Sequence, residues 1–430
     1  MSSERGLSGD LTVDVLIVGG GPSGLSAATA LAHALPAGRV ALIDRESATG
    51  GIPRHSDHLG FGMRDLRTFI SGPAYARRLT DRALQAGARL YTQTMATDWA
   101  DSHTVAVTSP GGRRRVHAGA IVLATGARER SRAGRMIPGY RGPGIYTTGQ
   151  LQNLVHLHHR SPGECAVVVG AEMVSWSAVL TLRTAGCRVV SMISAYDRPE
   201  TYAAVSVLGR LAFGVPVAVR SRLTRIIGAD RVSAVEIERL DTGELRLVEC
   251  DTVILTGSWV GECELARTAG LEMDGPAQGP VVDNLQETST AGIFAIGNLT
   301  HPVDTAGVAA QDGVAVAPHV LEYLRQSPRK VARPDSLRIT AGSNLRWITP
   351  GRLRDTLGTA RNGMLCWPGV ELRRPQVTVT QNGHVIARRV LSRSASPGRV
   401  LHLPATLLAG AVAQDGPAVV SLADATENQR

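Results

Sequence analysis

Residues 13–24 read VDVLIVGGGPSG, a short aliphatic run that leads directly into a glycine-rich turn. A continuous aliphatic run is typical of a buried parallel strand. Gly19, Gly21 and Gly24 follow it with the spacing of a dinucleotide-binding fingerprint. The first glycine makes the turn, the second lets the backbone approach a pyrophosphate, and the third lets a helix over residues 25–35 pack on the strand. The N-terminus of that helix then points at the phosphates, so the sequence predicts a nucleotide site here.

Four later segments support this prediction. A second apolar strand over residues 40–43 ends in Asp44, which is close to the spacing expected for the acid that binds the adenosine ribose hydroxyls. Gly51 follows after a short loop, at a second place where the backbone can approach a ligand. Residues 120–127 and 292–298 read as two more buried strands, each ending in small or polar residues.

Taken in this order, the four elements resemble the two-dinucleotide-domain flavoproteins, which include thioredoxin reductase and the pyridine nucleotide-disulfide oxidoreductases. The resemblance covers roughly residues 11–325 and implies FAD as the cofactor. It implies that the last segment places a residue on the ribityl chain, and that the next helix points its N-terminus at the flavin. The FAD contacts implied in this way are Gly19, Gly21, Pro22, Ser23, Gly24, Asp44, Arg45, Gly51, Ile52, Thr125, Gly126, Gly297, Asn298 and Val308. Asn298 stands where most relatives carry Asp, and its amide can still bond a ribityl hydroxyl.

Four further stretches indicate a narrower resemblance. GGIPRH (50–55), LGFG (59–62), SGPAYA (71–76) and GNLTHPVD (297–304) look like a branch of FAD-dependent oxidoreductases found as subunits of amine, amino-acid or glycerol-phosphate dehydrogenases. Hydrogen cyanide synthase and the opine or hydroxyproline dehydrogenase subunits are similar. This resemblance implies hydride transfer from a small amine, amino acid or hydroxy compound to flavin N5. It also implies a partner dehydrogenase subunit or a homo-oligomer, and it does not name the substrate.

The second nucleotide unit departs from its fingerprint. Residues 165–175 predict another strand–turn–helix, but Glu172 stands at the second glycine position and Ser175 at the third. A side chain there blocks the backbone from the pyrophosphate, and a carboxylate repels it. The strand over residues 188–194 also ends without an acid or arginine for an NAD(P) ribose. We therefore expect the substrate to reduce the flavin. The alternatives are an NAD(P)H-dependent flavin reductase and a non-catalytic scaffold subunit.

Five polar residues are candidates for the chemistry. His55, His58, His301 and Asp304 fall in the two segments that the resemblance brings to the flavin ring. A histidine titrates near neutral pH and suits the base that takes a proton from the substrate. The preferred pair is His301 with Asp304, because an acid orients an imidazole. Arg54 is a candidate for binding a substrate carboxylate or phosphate. The alternative is that the histidines are hydrogen-bonded loop residues.

The predicted fold class is α/β, with two Rossmann-like dinucleotide-binding domains, the second inserted in the first, and a small C-terminal β-rich domain. The FAD-binding domain takes residues 11–149 and 260–327, and the inserted NAD(P)-type domain takes residues 150–259. The C-terminal domain takes residues 335–422. Its signature is a hairpin over 377–387, in which apolar residues alternate around an Asn-Gly turn. We expect it to contact a partner or cover the site.

Composition excludes several other classes. The net charge of +9 comes almost wholly from arginine, since Lys330 is the only lysine. The arginines are dispersed and lack interleaved aromatic residues, which argues against nucleic-acid binding. No run approaches the roughly 18 apolar residues of a membrane span. The first residues show no cationic region followed by an apolar core. A cytoplasmic enzyme acting on a small-molecule substrate is therefore expected.

The cysteines argue against disulfide reductase chemistry. They form no C-x-x-C pair and no cluster with metal-ligand spacing, so no metal site is predicted and the thiols are expected to be buried small hydrophobes. The five are Cys165, Cys187, Cys250, Cys263 and Cys366.

Overall fold

The aliphatic strand Leu11–Val18 is at the centre of the first sheet. In the computed structural model it pairs in parallel with Val40–Ile43 on one side and with Gly112–Leu123 on the other. Ile293–Ala295 pairs with the end of that last strand. The outer strands are Glu4–Arg5 and Arg89–Thr92 at one edge, and the antiparallel Thr104–Ser109 and Met95–Asp101 at the other. The structure describes residues 4–275, 279–326, 336–354 and 363–425.

Three helices cover one face of this sheet. Pro22–Ala34 follows the fingerprint strand, and it packs against Gly72–Gln85 and against the long helix Ala306–Arg325. The crossing with the long helix is close because Gly313 has no side chain: a Cβ there would stand 2.1 Å from the Ser23 carbonyl oxygen. The helix after the last strand is thereby held against the fingerprint helix.

The inserted unit has its own parallel sheet. Its strands, in spatial order, are Ile145–Thr147, Thr252–Leu255, Cys165–Val169, Arg188–Ile193 and Val217–Ala218. Its helices are Met173–Thr184 and Ala203–Phe213. A three-stranded antiparallel sheet accompanies it, formed by Ser221–Gly228, Val232–Arg239 and Leu245–Glu249. The chain enters and leaves this unit through Ala127–Glu129 and Trp259–Gly261, which pair antiparallel.

The C-terminal residues form two β-sheets. One contains Arg352–Leu353, Leu337–Ala341, Ala418–Asp424, Pro375–Gln381 and His384–Val390, and the other contains Leu345–Thr349, Gly363–Pro368 and Leu401–Pro404. The predicted hairpin is confirmed, because Asn382 (φ 49°) and Gly383 (φ 78°) both have the positive φ that a type I′ turn needs. The predicted fold class is also confirmed: two dinucleotide-type units, one inserted in the other, with a β-rich unit after them.

The C-terminal unit contacts both dinucleotide units. Arg354 forms ion pairs with Asp283 and Glu287, which belong to the unit built on the first sheet. The Ser396 hydroxyl donates to the backbone oxygen of Glu200, in the inserted unit, at 3.1 Å. These contacts hold the three units together around the space between them.

Shorter elements complete the chain. The short strands Leu59–Phe61 and Ile70–Ser71 pair with each other. The remaining short helices are Ile52–His55, Ala133–Arg135, Thr148–Gln152, Asn153–Leu157, Glu264–Thr268, Gly297–Leu299, Ala405–Leu408 and Ala413–Asp415. Among the described residues, no helix combines the length and apolarity needed to cross a membrane. All five cysteines are free thiols.

Candidate functional site

A cavity of about 1430 Å³ opens where the three units meet. It is larger than the roughly 300–1,000 Å³ of most small-molecule sites. Its lining includes residues 18–23 of the fingerprint turn and residues of the crossing strands, Ala127–Glu129 and Trp259–Gly261. The first turns of the helices Met173–Thr184 and Ala306–Arg325 also line it. Trp367 and Pro397 of the C-terminal unit also line it. The cavity therefore has room for a dinucleotide and a substrate together.

The fingerprint turn leaves its cavity side clear. Gly19 has φ 109°, and a Cβ there would stand 2.4 Å from the Ala124 carbonyl oxygen, so only glycine fits. At Gly21, by contrast, a Cβ would meet no atom within 4 Å. The backbone at Gly21, which is the N-cap of the helix beginning at Pro22, is open to the cavity. This geometry fits a bound pyrophosphate.

Asp44 is held at the edge of this turn by backbone donors. The Gly20 N–H donates to Oδ2 at 2.7 Å, and the Glu46 N–H donates to Oδ1 at 2.8 Å. Burial raises the pKa of Asp44, while the two N–H donors favour the charged form. The carboxylate is thus fixed beside the fingerprint, where an adenosine ribose would present its hydroxyls.

Asn298 offers an acceptor that no described residue uses. Its Nδ2 donates to the backbone oxygen of Asp304 at 3.0 Å. Its Oδ1 is buried and has no hydrogen-bond partner in the described part of the chain. Because a buried acceptor without a partner is costly, this atom fits a ligand that donates a hydrogen bond, such as a ribityl hydroxyl.

Most of the predicted FAD contacts line the cavity, and three do not. Gly24 packs the helix on the strand, since a Cβ there would stand 1.9 Å from the Gly19 carbonyl oxygen. Gly297 is buried and donates its N–H to Asp312 at 3.1 Å. Val308 is buried against the protein, 2% exposed. The residues that line the cavity are Gly19, Gly21, Pro22, Ser23, Asp44, Arg45, Gly51, Ile52, Thr125, Gly126 and Asn298.

His301 differs from its predicted arrangement. The ring is 2% exposed, and Nε2 hydrogen-bonds Asp312 Oδ2 in the long helix. Its Nδ1 is 3.8 Å from Asp304 Oδ2, so the predicted pair is close, but the short hydrogen bond goes to Asp312. Asp304 lines the large cavity and His301 does not. The Asp312 carboxylate also accepts the Gly297 N–H, so this buried pair holds the turn over residues 297–301 against the helix Ala306–Arg325.

His58 is committed to a hydrogen-bonded chain. Its Nδ1 is 2.8 Å from the Leu59 carbonyl oxygen, which can only accept, so Nδ1 carries a proton. Its Nε2 is 2.7 Å from the Ser177 hydroxyl, which in turn accepts from Gln152 Nε2 at 2.7 Å. His58 therefore connects the loop before the strand Leu59–Phe61 to the helix Met173–Thr184 of the inserted unit.

Arg54 and His55 lie side by side on the cavity wall. The Arg54 guanidinium donates to the Ala48 carbonyl oxygen at 2.9 Å and to Glu46 Oε2 at 3.3 Å, so it lies at the Asp44 end of the cavity. Burial, followed by the charge of Arg54, lowers the pKa of His55 to about 4. His55 is therefore neutral at pH 7. Its Nδ1 is buried without a hydrogen-bond partner among the described residues.

Glu129 is a cavity residue that the sequence reasoning missed. It lies on the crossing strand, opposite Trp259, and is 7% exposed. Its Oε2 accepts the Gly149 N–H at 3.1 Å, and burial raises its pKa to about 7. The surrounding sequence ARERSR suggests a solvated, charged strand. One sequence feature could have identified Glu129 as a cavity residue: it follows closely after Thr125 and Gly126, which were predicted to contact the cofactor.

The second fingerprint is closed by its own side chain. Glu172 is the N-cap of Met173–Thr184, and it forms a capping box with Ser175. Its carboxylate accepts from the Ser175 hydroxyl at 2.5 Å and from the Thr256 hydroxyl at 2.9 Å. It also fills the space over Gly257, where a Cβ would stand 1.6 Å from Oε1. The anion site at this helix N-terminus is thus occupied from within.

The family described as pyridine nucleotide-disulphide oxidoreductase matches residues 13–313. The chain belongs to this family. One subunit of the opine oxidase of Agrobacterium tumefaciens (strain Ach5) is 25% identical over 71% of this chain and 63% of its own length. The ferredoxin–NAD(+) reductase subunit of a Pseudomonas putida benzene 1,2-dioxygenase system is 27% identical over 68% of each chain. The crystal structure of T. acidophilum thioredoxin reductase superposes with a TM-score of 0.62 at 21% identity, over 74% of this chain and 100% of its own.

Membership makes this chain an FAD-dependent oxidoreductase. The open turn at Gly21 and the unpartnered Asn298 Oδ1 fit that cofactor. The oxidoreductase spans less than two thirds of the length of the opine oxidase subunit it matches. Its likeness to the thioredoxin reductase structure concerns the fold alone.

Proposed function

We propose that this oxidoreductase oxidises a small amine, amino acid or hydroxy compound, and that the substrate rather than NAD(P)H is its source of electrons. FAD, when bound, supplies the hydride acceptor. The residues that would hold it are Gly21, Ser23, Asp44, Thr125 and Asn298. Arg54 would lie at its adenosine end, because its guanidinium already contacts the loop beside Asp44.

The observation that carries this proposal is the contrast between the two fingerprints. At Gly21 the helix N-terminus is open to the cavity, whereas at Glu172 a carboxylate caps it. A pyrophosphate at the second site would have to displace that carboxylate from two hydroxyl donors. It would also meet a like charge at the same helix end. The first unit is therefore suited to a dinucleotide and the second is not.

The substrate class is inferred from the relatives and the site together. One relative is named for opine oxidation, and opines are amino acids with a substituted amine. Around the cavity, Glu129 and Asp304 supply carboxylates, and His55 supplies a neutral imidazole. These groups can bind an amine and hold a proton. We favour C–N oxidation of an amine or amino acid over C–O oxidation for this reason.

We also propose that a partner subunit binds the inserted unit. The opine oxidase relative is itself one subunit of an enzyme. The helix Ala203–Phe213 exposes Val207 (55%), Leu208 (66%) and Leu211 (78%). Three large apolar side chains on one short helix are typical of a surface that another protein covers.

An NAD(P)H-dependent reductase is the second candidate, favoured by the intact parallel sheet of the inserted unit and by the relative named as a ferredoxin–NAD(+) reductase subunit. Anaerobic titration of the FAD-loaded protein, followed at the visible flavin band, separates the two. We expect no bleaching by NADH or NADPH, and bleaching by at least one member of a panel containing L-proline, sarcosine and octopine. Rapid bleaching by NADH would contradict the proposal in favour of the reductase.

A further inference from the structure

We infer that Glu129 and Thr148 form the subsite that binds the substrate amine as its ammonium ion, with Glu129 Oε1 accepting one of its protons. The inference rests on the proposed amine oxidation and names the substrate class more narrowly. The ligand is a primary or secondary ammonium, with at least two N–H donors.

The first observation is the Glu129 carboxylate itself. The side chain is more than nine-tenths buried, and only one of its two oxygens is used. Oε2 accepts the Gly149 N–H, while Oε1 has no partner of full hydrogen-bond geometry among the described residues. Leaving a buried carboxylate oxygen unpaired is costly. A ligand donor in the adjoining cavity would satisfy it.

The second observation is the hydroxyl of Thr148. This residue precedes Gly149, is 1% exposed and lines the same cavity. Its Oγ1 has no partner that meets full hydrogen-bond geometry among the described residues, and a looser side-chain hydrogen bond from it lowers the pKa of the Glu129 carboxyl against the effect of burial. Two neighbouring buried oxygens, each with an unused lone pair, match a ligand that presents two N–H groups. A secondary ammonium has two, whereas a quaternary ammonium has none.

The local charge also favours a cation. No arginine or histidine in the described residues forms an ion pair with Glu129 within 4 Å. Arg135 is close, but it donates to three backbone carbonyl oxygens at 2.7–2.9 Å. The negative charge of Glu172 adds to the effect of burial in raising the pKa of Glu129. The charge of Arg135 lowers the pKa of Glu129, but it offsets burial and Glu172 only in part. A positively charged ligand at Oε1 would add to that offset.

The proton transfer is balanced within the subsite. One N–H bond of the ammonium breaks, an O–H bond forms at Glu129 Oε1, and the electron pair stays on nitrogen. The products are a neutral amine and a protonated carboxyl group. A carboxyl whose pKa burial raises to about 7 accepts this proton more readily than His55, whose pKa is about 4. The neutral amine has the nitrogen lone pair that cleavage of the neighbouring C–H bond requires, and FAD, when bound, would be the hydride acceptor.

The test uses the full-length, FAD-loaded protein and measures binding rather than turnover. Dimethylammonium, with two N–H groups, and tetramethylammonium, with none, are titrated while the flavin absorption spectrum is recorded. We expect saturable binding of dimethylammonium only. Glu129→Gln should weaken it at least tenfold, and Thr148→Val about threefold. Glu264→Gln is the matched control, because Glu264 lines the same cavity but is exposed and paired with Arg128. This variant should bind dimethylammonium as tightly as the wild type.

Equal dimethylammonium affinity in wild type and Glu129→Gln, with the FAD content of both unchanged, would overturn the inference. So would the absence of saturable binding to wild type, or equal binding of the quaternary ion. If Glu129→Gln does not fold, the Thr148→Val variant still tests the inference. An unchanged dimethylammonium affinity in that variant would contradict a subsite with two acceptors. Failure of the proposed function looks different: dimethylammonium binds and depends on Glu129, but no amine in the panel bleaches the flavin.

Discussion

Replacing Glu172 with glycine tests whether one carboxylate keeps nicotinamide nucleotides out of the inserted unit. In the structure this carboxylate caps Met173–Thr184 and accepts hydrogen bonds from the Ser175 and Thr256 hydroxyls. Glycine restores the residue type that a fingerprint needs at this position. It removes both the bulk and the charge, and leaves the two hydroxyls bonded to each other at 2.7 Å.

Two effects set the magnitude of the expected gain. A charge at a helix N-terminus is worth roughly 0.3–2 kcal/mol, and displacing a carboxylate from a hydrogen bond costs about 1.5–3 kcal/mol. Since Ser175 remains at the third fingerprint position, we expect only part of this sum, about 2 kcal/mol, or roughly 30-fold tighter NADH binding. The loss of the cap lowers stability by about 1 kcal/mol, which a folded domain tolerates.

Equilibrium dialysis of NADH and NADPH against the oxidised protein measures the gain directly. Glu172→Gln is the matched variant: it retains the side-chain volume and an acceptor oxygen but removes the charge. We expect it to improve binding by about threefold, in line with a helix-end charge term of roughly 0.7 kcal/mol. If Glu172→Gly binds NADH no more tightly than wild type while its FAD content and helical signal are normal, the carboxylate is not the obstacle.

Three other perturbations test the FAD side. Asp44→Ala should weaken FAD binding about tenfold or more, because a charged acceptor is worth about 1.5–3 kcal/mol; an unchanged flavin-to-protein ratio after gel filtration would contradict the assignment. Asp312→Ala should lower the free energy of unfolding in urea by about 2–6 kcal/mol, roughly 1–3 kcal/mol for each of the two buried groups, the His301 ring and the Gly297 N–H, that lose this acceptor; a loss below about 1 kcal/mol would disprove that role. Burial raises the pKa of Glu129 from 4.5 to about 7, so the folded apo-protein binds this proton more tightly than the unfolded chain. The wild-type unfolding free energy should therefore fall, relative to Glu129→Gln, as pH rises from about 4.5 to 7, and parallel pH profiles in the two proteins would refute this.

The nucleotide-binding half of the site was readable from the sequence because its requirements are local. Gly19 must be glycine since a neighbouring carbonyl leaves no room for a Cβ, and Asp44 follows its strand directly. Most of the predicted FAD contacts line the cavity for that reason. The effect of Glu172 on nucleotide binding was also predictable from the sequence, since any side chain at that fingerprint position keeps the backbone from a pyrophosphate.

The remaining residues depend on contacts between distant parts of the chain. His301 looked like the partner of Asp304, three residues away, but the helix packing brings Asp312 to its ring. His58 looked available, but the inserted unit brings Ser177 to Nε2 from 119 residues away. Neither outcome follows from the spacing within a segment.

Glu129 illustrates the same limit most clearly. Its neighbours are arginines, so its local sequence resembles a solvated strand. It is buried because the fold pairs Ala127–Glu129 with Trp259–Gly261 and brings Gly149 to its carboxylate. Backbone sterics and the spacing of glycines act within a few residues. The fold and the FAD fingerprint can therefore be predicted from short stretches of the sequence. Burial, unpaired lone pairs and shifted pKa values come from the assembly of three units around one cavity, so the residues proposed to bind the substrate became visible only in the folded chain.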